Sequence, residues 1–311
     1  MEYHNPVLLH PSIDGLNIHS DGIYVDVTFG GGGHSREILN RLGPNGKLFA
    51  FDQDEDALAN TIIDGRFTLI NENFRYLKRY LRFYGIKEVD GILADLGVSS
   101  HQFDVPERGF STRFDAELDM RMNQKSELNA FKIVNEYSEN ELKRIFYDYS
   151  ELSNAPKIAR KIVEEREIET IKNTEQLKQV LSQFLPVHKS HKILAQIYQG
   201  IRIEVNQEIE VLKEFLEQSL EILKPEGRLS VISYHSLEDR LVKRFLKNGL
   251  FEGEPEKDFF GNFSVPFKSI GKLIIPDFAE IKTNNRARSA KLRIAEKAHP
   301  NLPKEKAKLS Y

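Results

Sequence analysis

Four consecutive glycines at residues 30–33 stand between a strongly apolar segment and a segment with helical spacing. The apolar run at 23–29, which contains Asp26, predicts a buried strand, and residues 35–42 predict a helix. Glycines at a strand-to-helix turn let the backbone bend tightly and let a ligand approach, because no Cβ lies in the way. We therefore expect this loop to bind a ligand rather than to serve only as a flexible turn.

Two classes of adenosyl ligand compete for the glycine loop. A dinucleotide requires the pattern G-x-G-x-x-G, whose third glycine allows the helix to pack closely on the strand. That third position is Ser35 when counted from Gly30 and Arg36 when counted from Gly31, so the pattern fails in both registers. S-adenosylmethionine has no pyrophosphate and needs only an acid at the strand end and a loop of small residues. The loop therefore favours S-adenosylmethionine over NAD.

Three more residues that could bind or react lie at the ends of predicted strands. Asp52 ends the second strand, 19 residues after the last glycine, where a carboxylate can accept both ribose hydroxyls of either ligand. Phe74 follows the third strand and either packs on adenine or belongs to the core. Asp95 ends the fourth strand, where a carboxylate is costly unless it has a partner. We expect Asp95 beside the methionine end of the cofactor and the incoming nucleophile.

Tyr234 and His235 follow a fifth, strongly apolar strand and should lie at the same edge of the sheet. Tyr234 could stack on an extruded base, and His235 could bind phosphate or transfer a proton. The alternative is a packed tyrosine and a polar residue that caps a helix. The residue types alone do not separate these interpretations.

Basic residues are concentrated near the C-terminus. The chain has a net charge of −3, whereas residues 282–311 contain nine Lys or Arg and two Glu, a local charge of +7. Arg286, Arg288, Lys291 and Arg293 alternate with smaller residues, and in a strand Arg286 and Arg288 would share a face that could bind RNA phosphate. The alternative is a charged stripe that protects an edge strand.

The composition restricts the class of protein. The 311 residues, 40% hydrophobic and 29% charged, suit a globular protein of about two domains. The chain contains no cysteine, which excludes a disulfide scaffold, a thiolate metal site and a cysteine nucleophile, and fits the cytoplasm. Because it has no signal pattern and no apolar run of the ~18 residues that a membrane span needs, we expect a soluble protein. No metal-ligand cluster is evident, and we expect no metal.

Alternating strand-like and helix-like segments predict an α/β fold with a parallel sheet. Residues 105–203 interrupt the alternation, because they contain no convincing strand and show 3.6-residue apolar spacing. We expect a sheet domain formed by 1–104 and 204–311 and an inserted helical domain at 105–203. The insertion leaves the sheet at the carboxyl edge, where ligands bind, so it should recognise the substrate.

The boundaries of the individual segments follow from the same spacing rules. The predicted strands are 23–29, 47–52, 67–71, 89–96 and 228–233, with candidate strands at 273–275 and 291–295. The predicted helices are 35–42, 54–63, 76–84, 139–147, 157–165, 174–184 and 206–223, with a turn at 225–227.

Eight blocks along the chain closely resemble a known family, the bacterial ribosomal RNA small subunit methyltransferase H. In order, they are DVTFGGGGHS, FDQD, DLGVSSHQFD, RGFS, LDMRM, RIEVNQE, ISYHSLEDR and NNRARSAKLR. The quoted blocks lie between residues 26 and 293, and the resemblance extends over nearly the whole chain, from about residue 5 to about residue 297. The resemblance implies a Rossmann-like class I methyltransferase sheet with an inserted helical domain. It also implies that S-adenosylmethionine methylates the exocyclic N4 of a cytidine in the decoding region of 16S rRNA, within the small ribosomal subunit.

The same resemblance implies a set of cofactor contacts. His34 and Gln102 enter this set from the family alone, whereas the spacing arguments reach the glycines, Asp52 and Asp95 independently. The implied contacts are Gly32, Gly33, His34, Asp52, Phe74, Asp95 and Gln102.

The chain departs from the family pattern at three places outside the cofactor half. Residues 149–154 read YSELSN where the family has a Gly-Glu-Glu-like step, and residues 115–117 read DAE instead of Asp-Gly-Pro. Residues 192–199 read KILAQIYQ, with Gln196 where an arginine is usual. These changes concern how RNA docks and leave methyl transfer untouched.

Methyl transfer from a sulfonium is an in-line displacement, so the protein mainly has to align the nucleophile. A cytosine N4 amine is a weak nucleophile, and acceptors on its hydrogens favour the reactive geometry as charge develops. Asp95 and the backbone carbonyls of residues 96–98 are the candidates. The remaining alternatives are a methyltransferase of DNA or protein and a non-catalytic RNA-binding factor in ribosome assembly. The intact glycines, Asp52 and Asp95 argue against the last.

Overall fold

The computed structural model describes residues 6–255 and 265–299, which form two compact units. We call them the sheet unit (residues 6–52, 60–96, 213–255 and 265–299) and the helical unit (residues 53–59 and 97–212). The α/β fold predicted from the alternating segments is confirmed. The predicted domain limits, between residues 104 and 105 and between 203 and 204, remain a prediction.

A seven-stranded mixed sheet forms the centre of the sheet unit, with the order β3-β2-β1-β4-β5-β7-β6. The strands are β1 (Ile23–Asp26), β2 (Lys47–Phe51), β3 (Phe67–Ile70), β4 (Val89–Asp95), β5 (Leu223–Ser233), β6 (Phe267–Ser269) and β7 (Lys291–Lys297). β1 to β5 run parallel, whereas β7 is antiparallel to both β5 and β6. The chain reverses its direction of progress across the sheet between β1 and β4. In open α/β sheets the carboxyl ends at such a reversal bind ligands.

The helices of the described residues are, in chain order, α1 (Leu9–Gly15), α2 (Gly33–Arg41), α3 (Leu77–Phe83), α4 (Ser100–Asp104), α5 (Ala130–Glu136), α6 (Glu139–Asp148), α7 (Ala155–Ile168), α8 (Thr174–Leu181), α9 (Ser190–Asn206), α10 (Glu208–Ile222), α11 (Ser236–Asn248) and α12 (Phe278–Thr283). In the part of the chain that the structure describes, no helix has the length and apolarity needed to cross a lipid bilayer.

The central strands are apolar on both faces because helices cover both. One core cluster packs Tyr24 of β1, Leu48 of β2 and Leu93 of β4 against Ile13 of α1 and Ile38 of α2. All five side chains are fully buried. This rigid packing fixes where each strand ends, and therefore where the side chains that follow the strands lie.

The helical unit buries one apolar stripe from each of several amphipathic helices. Ile133, Ile145, Ile158, Leu177 and Ile197, from α5 to α9, are fully buried in a single cluster. Within residues 97–212 the structure contains no strand, only an isolated bridge between residues 117 and 173. The absence of a strand that the spacing predicted for residues 105–203 is therefore confirmed.

Six of the seven predicted strands are confirmed, with ends that shift by a few residues. β5 begins earlier than predicted, at Leu223, so the predicted turn at 225–227 does not precede the strand. These residues bulge out of the ladder between the pairs Val89–Leu223 and Gly91–Arg228, and Glu226 has a φ of +66°. β5 thus pairs with β4 on both sides of residues 225–227, which the sequence had indicated as a turn before the strand.

Two other element predictions are wrong. Instead of a helix at 54–63, the structure has only a 3₁₀ turn, Glu55–Asn60, because the Asp54 carboxylate accepts from the backbone N–H of Asp56 and opens a tight turn. The candidate strand at 273–275 forms only an isolated bridge from Ile274 to β7. The edge strand is β6 instead, which is too short to show alternation in the sequence.

Candidate active site

The buried carboxyl group of Asp26 anchors the start of the glycine turn. Its Oδ2 accepts a hydrogen bond from Ser35 Oγ at 2.7 Å, and its Oδ1 accepts one from the backbone N–H of Thr28 at 3.1 Å. Burial raises the pKa of Asp26, and the bonds from Ser35 and Thr28 oppose that rise. Asp26 therefore ties the end of β1 to the first turn of α2, and its role is structural.

Two of the glycines are required by the space around them. Gly32 has a φ of +75°, and a Cβ there would lie 2.9 Å from the ring of Phe29. At Gly33 a Cβ would lie 2.2 Å from Cγ of Pro6. Around Gly30, by contrast, no heavy atom of the residues that the structure describes lies within 4 Å of a Cβ built on its backbone. Protein closes one part of the turn, and the part near Gly30 is open to a ligand.

The Asp52 side chain, placed by the end of β2, reaches this open part of the turn. The backbone N–H of Gly30 donates to Asp52 Oδ2 at 2.7 Å, while Asn71 Nδ2 donates to the Asp52 carbonyl at 2.9 Å. The Asp52 side chain is half-buried. Because a carboxylate has about four acceptor positions, it can accept from several donors at once, hydroxyl groups included.

Phe74 lies directly after β3, in a 3₁₀ turn, Phe74–Tyr76, that the side chain of Asn73 caps. Its ring makes an edge contact with Phe215 of α10, with 5.4 Å between ring centroids. Phe74 is half-buried, so part of its ring surface can meet an apolar ligand group.

Asp95, at the end of β4, is held from both sides. The Tyr234 hydroxyl donates to its Oδ1 at 2.7 Å, and His34 Nδ1 lies 3.9 Å from its Oδ2. Its backbone N–H donates to Thr28 Oγ1 at 2.7 Å. Burial raises the pKa of Asp95 to about 6, and the nearby His34 and the Tyr234 bond oppose that rise. With 22% of the side chain exposed, Asp95 is a reachable carboxyl group that titrates near neutrality.

His34 begins α2 and is buried against the N-terminal segment. Its Nε2 lies 3.1 Å from the carbonyl oxygen of Val7, which can only accept, so Nε2 carries the proton in that bond. Burial lowers the pKa of His34, although Asp95 opposes this. The bond to Val7 therefore orients the ring so that its other nitrogen, Nδ1, lies on the side of Asp95, 3.9 Å from Oδ2.

Tyr234 and His235 have different surroundings. Burial, and then the neighbouring Asp95, raise the pKa of Tyr234. The hydroxyl group therefore stays protonated and donates a hydrogen bond to the Asp95 carboxylate. His235 caps the N-terminus of α11: its Nδ1 accepts from the backbone N–H of Glu238 at 3.5 Å, and its Nε2 lies 3.0 Å from Glu238 Oε1. The structure thus gives His235 the capping geometry that was its alternative interpretation.

Gln102 belongs to the helical unit and is buried there. It completes a capping box at the start of α4, because its Oε1 accepts from the backbone N–H of Ser99 at 3.1 Å. Its Nε2 donates to Asp54 Oδ2 at 2.6 Å, and the buried guanidinium of Arg108 lies 2.8 Å from that same oxygen. The prediction that Gln102 contacts the cofactor remains untested.

The four predicted RNA-binding cations do not form one strand. Arg286 and Arg288 lie in a 3₁₀ helix, Asn285–Ser289, so the prediction that they share the face of a strand is wrong. Asn284 caps this turn by accepting from the backbone N–H of Arg286, which stops the strand from extending back. Lys291 and Arg293 do lie in β7, where both bind Asp239 of α11, at 3.1 and 2.7 Å. These two cations thus share one carboxylate within the protein, and the three side chains together keep a net positive charge.

Three groups that shape the site were not identified from the sequence. The Val7 carbonyl, which orients His34, and the Thr28 hydroxyl, which holds Asp95, had no distinguishing pattern. Glu238, whose carboxylate accepts from the backbone N–H of Tyr234 at 2.9 Å, did have one. It stands three residues after a polar N-cap residue, the spacing of a capping box.

The sheet order, the glycine turn after β1 and the carboxylates that end β2 and β4 together define the class. The protein is a class I, Rossmann-like methyltransferase, an enzyme whose cofactor is S-adenosylmethionine. The cofactor is thus the methyl donor and not a dinucleotide, and the binding of that donor by the glycine loop remains a prediction.

The chain belongs to the MraW methylase family, whose model matches residues 1–298. It is 78% identical over 297 residues to the ribosomal RNA small subunit methyltransferase H of Flavobacterium johnsoniae, a match that covers 96% of this chain and 98% of the relative. The enzyme of that name from Bacteroides thetaiotaomicron is 56% identical over 298 residues, with 96% and 98% covered. Among solved structures, an rRNA methylase from Streptococcus thermophilus aligns with a TM-score of 0.43 and 15% identity, over 96% of this chain and 99% of that one. The family resemblance predicted from the motifs is confirmed.

Proposed function

We propose that this enzyme methylates the exocyclic N4 of a cytidine in the decoding region of 16S rRNA. The names of relatives at 78% and 56% identity support rRNA of the small subunit as the substrate. The observation that carries the reaction chemistry is the 2.7 Å bond from Tyr234 to Asp95 at the carboxyl edge of the sheet. This hydrogen bond fixes a partly exposed carboxylate at the sheet edge, where the N4 amine of the cytosine would have to be aligned.

The sheet unit offers groups that fit S-adenosylmethionine. Asp52 would accept from the ribose hydroxyls, Phe74 would pack on adenine, and Gly32, Gly33 and His34 would line the turn. The open space at Gly30 and the half-buried carboxylate beside it support this assignment. The cofactor supplies an electrophilic methyl group on a sulfonium. That Gln102 also contacts the cofactor remains a prediction from the family resemblance.

Asp95 would accept a hydrogen bond from the N4 amine and turn its lone pair towards the methyl group. With a pKa of about 6, most Asp95 side chains are ionised at pH 7. On accepting the methyl group from the sulfonium, which would leave as the neutral thioether, the nitrogen would gain positive charge and would have to lose one proton. The carboxylate stabilises that charge and can accept the proton.

Tyr234 would act as a positioning residue. It keeps its proton, so its hydroxyl donates to Asp95 and holds the other carboxylate oxygen towards the substrate. Its ring remains a candidate for stacking on the extruded base. We do not include His235 in the chemistry, because it is the N-cap residue of α11 and its Nδ1 accepts from the backbone N–H of Glu238.

On the substrate side, we propose that the inserted helical domain recognises the small ribosomal subunit, in the cytoplasm. Arg286 and Arg288 are retained as candidate phosphate contacts. Lys291 and Arg293 are weaker candidates, because Asp239 already binds both.

The deciding experiment incubates the protein with labelled S-adenosylmethionine and small subunits from a strain that lacks the modification, and then maps the labelled nucleotide. We expect label on one cytidine and on its N4. Asp95→Asn is the matched control, because it keeps the shape and the acceptor oxygen but removes the charge. The Asp95→Asn variant should bind small subunits normally and transfer the methyl group slowly.

The other outcomes refute the proposal in different ways. Label on DNA or protein alone would assign the enzyme another substrate. Subunit binding without any methyl transfer would make it a binding factor in ribosome assembly. Equal rates for the wild type and Asp95→Asn would remove Asp95 from the reaction.

A further inference from the structure

The segment around α3 combines positive charge and aromatic rings without a single acid. Residues 75–87 read RYLKRYLRFYGIK, with five Lys or Arg, four aromatic residues and no Asp or Glu. The whole chain has a net charge of −3, so this segment differs sharply from its surroundings. Basic residues interleaved with aromatic ones are typical of surfaces that bind nucleic acid.

The helix separates an apolar face from a basic one. Leu77 and Leu81 are buried, at 0% and 1% exposure. Arg79, Arg82 and Phe83 are exposed. Arg82 and Phe83 lie three and four residues after Arg79, so each is a neighbour of Arg79 on the outer side of α3. The buried leucines fix the orientation of the helix and therefore the direction of the exposed group.

The cations of the segment fall into two sets. Arg75 binds Glu214 of α10 at 2.6 Å, and Lys78 binds Glu221 of the same helix. These two attach α3 to α10. The others, Arg79, Arg82 and Lys87, form no salt bridge with an acid of the described residues. We call them, with Tyr76 and Phe83, the α3 surface.

Phe83 is exposed and yet held in place. Its side chain is 80% exposed, and its ring meets Tyr84 edge to face with 5.3 Å between centroids. Tyr84 in turn packs on Phe49 of β2 at 5.5 Å. The ring of Phe83 is thus supported by the sheet, which lowers the entropy cost of stacking a partner on it.

We propose that the α3 surface binds the RNA of the small subunit at a point separate from the reacting cytidine. Arg79, Arg82 and Lys87 would contact phosphates, and Phe83 would stack on an unpaired base. RNA is favoured over a protein partner for two reasons. Its phosphates supply negative charge to pair with the three cations, and an unpaired base supplies a flat face on which the ring of Phe83 can stack. The proposal rests on the proposed function only in taking rRNA as the substrate.

The test measures binding of 16S rRNA and of intact small subunits by fluorescence anisotropy over a salt series, separately from methyl transfer. The charge-reversal variant is Arg79→Glu with Arg82→Glu. Its matched control is Lys243→Glu with Lys247→Glu, two exposed lysines of α11 that change the net charge equally. Thermal unfolding of both variants checks that they fold.

We expect the α3 variant, but not the control, to bind RNA at least ~10-fold more weakly at low salt. The slope of log affinity against log salt should fall by about 1.5, that of two lost phosphate contacts. Phe83→Ala should weaken binding about five- to a hundredfold with little change in slope. Methyl transfer at saturating subunit concentration should be unchanged in all three variants.

Three results would overturn the proposal. Equal losses in the α3 variant and the control would reduce the effect to net charge. A loss with intact subunits but not with 16S rRNA would assign the surface to a ribosomal protein. Unchanged binding throughout would remove any docking role. None of them touches the identity of the methylated nucleotide, so failure here and failure of the proposed function are distinct.

Discussion

Replacing Tyr234 with phenylalanine removes one hydroxyl and little else. That hydroxyl donates to Asp95 Oδ1 at 2.7 Å and is one of the groups that keep the pKa of Asp95 from rising further. The ring can keep its packing against the apolar cluster around Ile232 and Leu292. The perturbation should therefore act on the protonation of Asp95, not on the fold.

The size of the effect follows from the strength of the bond. A hydrogen bond to a charged group contributes ~1.5–3 kcal/mol, which corresponds to about 1 to 2 pKa units. Loss of the bond would move the pKa of Asp95 from about 6 to roughly 7 or 8. The ionised fraction at pH 7 would then fall from about 0.9 to between about 0.1 and 0.5. Turnover should fall about two- to tenfold at pH 7 and recover by about pH 9.

The assay is the pH profile of kcat at saturating cofactor and subunits, for the wild type and Tyr234→Phe. Tyr147→Phe is the matched control, because it removes a hydroxyl from a side chain that is 65% exposed. The acidic limb of the Tyr234→Phe profile should shift to higher pH while the control follows the wild type. A uniform loss at every pH, with no shift of that limb, would refute the proposed link between Tyr234 and the ionisation of Asp95.

Three further predictions concern single side chains. Burial raises the pKa of Asp95 from 3.8 to about 6, so the folded protein favours the protonated carboxyl group. The stability that this preference gives is fully present below about pH 4 and is lost as the pH rises through 6. Asp95→Asn should therefore raise the free energy of unfolding by about 2–3 kcal/mol at pH 8 and leave it unchanged near pH 4; equal effects at both pH values in chemical denaturation would contradict this. Asp52→Ala should weaken S-adenosylmethionine binding by about 1.5–3 kcal/mol, and an unchanged affinity in calorimetry would reject the ribose contact. Gly33→Ala should cost about 1–3 kcal/mol in thermal unfolding, because its Cβ would lie 2.2 Å from Pro6; Gly65→Ala, with no heavy atom within 4 Å, is the control that should cost less.

The carboxyl ends of β2 and β4 were predicted to within one residue, because an apolar run leads up to Asp52 and to Asp95, whereas the end of β1 was predicted three residues too late. A carboxylate that ends such a run must lie at the sheet edge, and this alone placed Asp52 and Asp95 correctly. The order of the strands then brings these edges together. Local sequence therefore contained both the elements and the position of the site.

The partners of those residues were not predictable, because they come from distant parts of the chain. Tyr234 and Asp95 are 139 residues apart, and His34 and Val7 are 27 apart. Nothing in the spacing of either residue specifies the other. The family resemblance supplied His34 without its partner, and only the packed fold shows which atom of the ring faces Asp95.

RNA binding by the C-terminal cations remains a prediction, and it was drawn from charge summed over a terminal tail. The excess of +7 over residues 282–311 drew attention to the C-terminal cations, of which Lys291 and Arg293 bind Asp239. The α3 surface lies inside a chain segment that looked like an ordinary helix. Counting charged residues in windows as long as one helix, instead of over a terminal tail, would have drawn attention to this segment.

The pairing of β4 with β5 has a consequence for how the protein is made. Residues 96–222 lie between the two strands, so the ribosome must add all of them after β4 before β5 exists. At typical synthesis rates of about 5–20 residues per second, β4 waits on the order of 10 s with one edge unpaired. A nascent chain in this state presents an apolar strand to its neighbours, and early folding of the helical segment would shorten the loop that remains to be closed. Synthesis of this enzyme should therefore depend on chaperones more than its finished, well-packed sheet suggests.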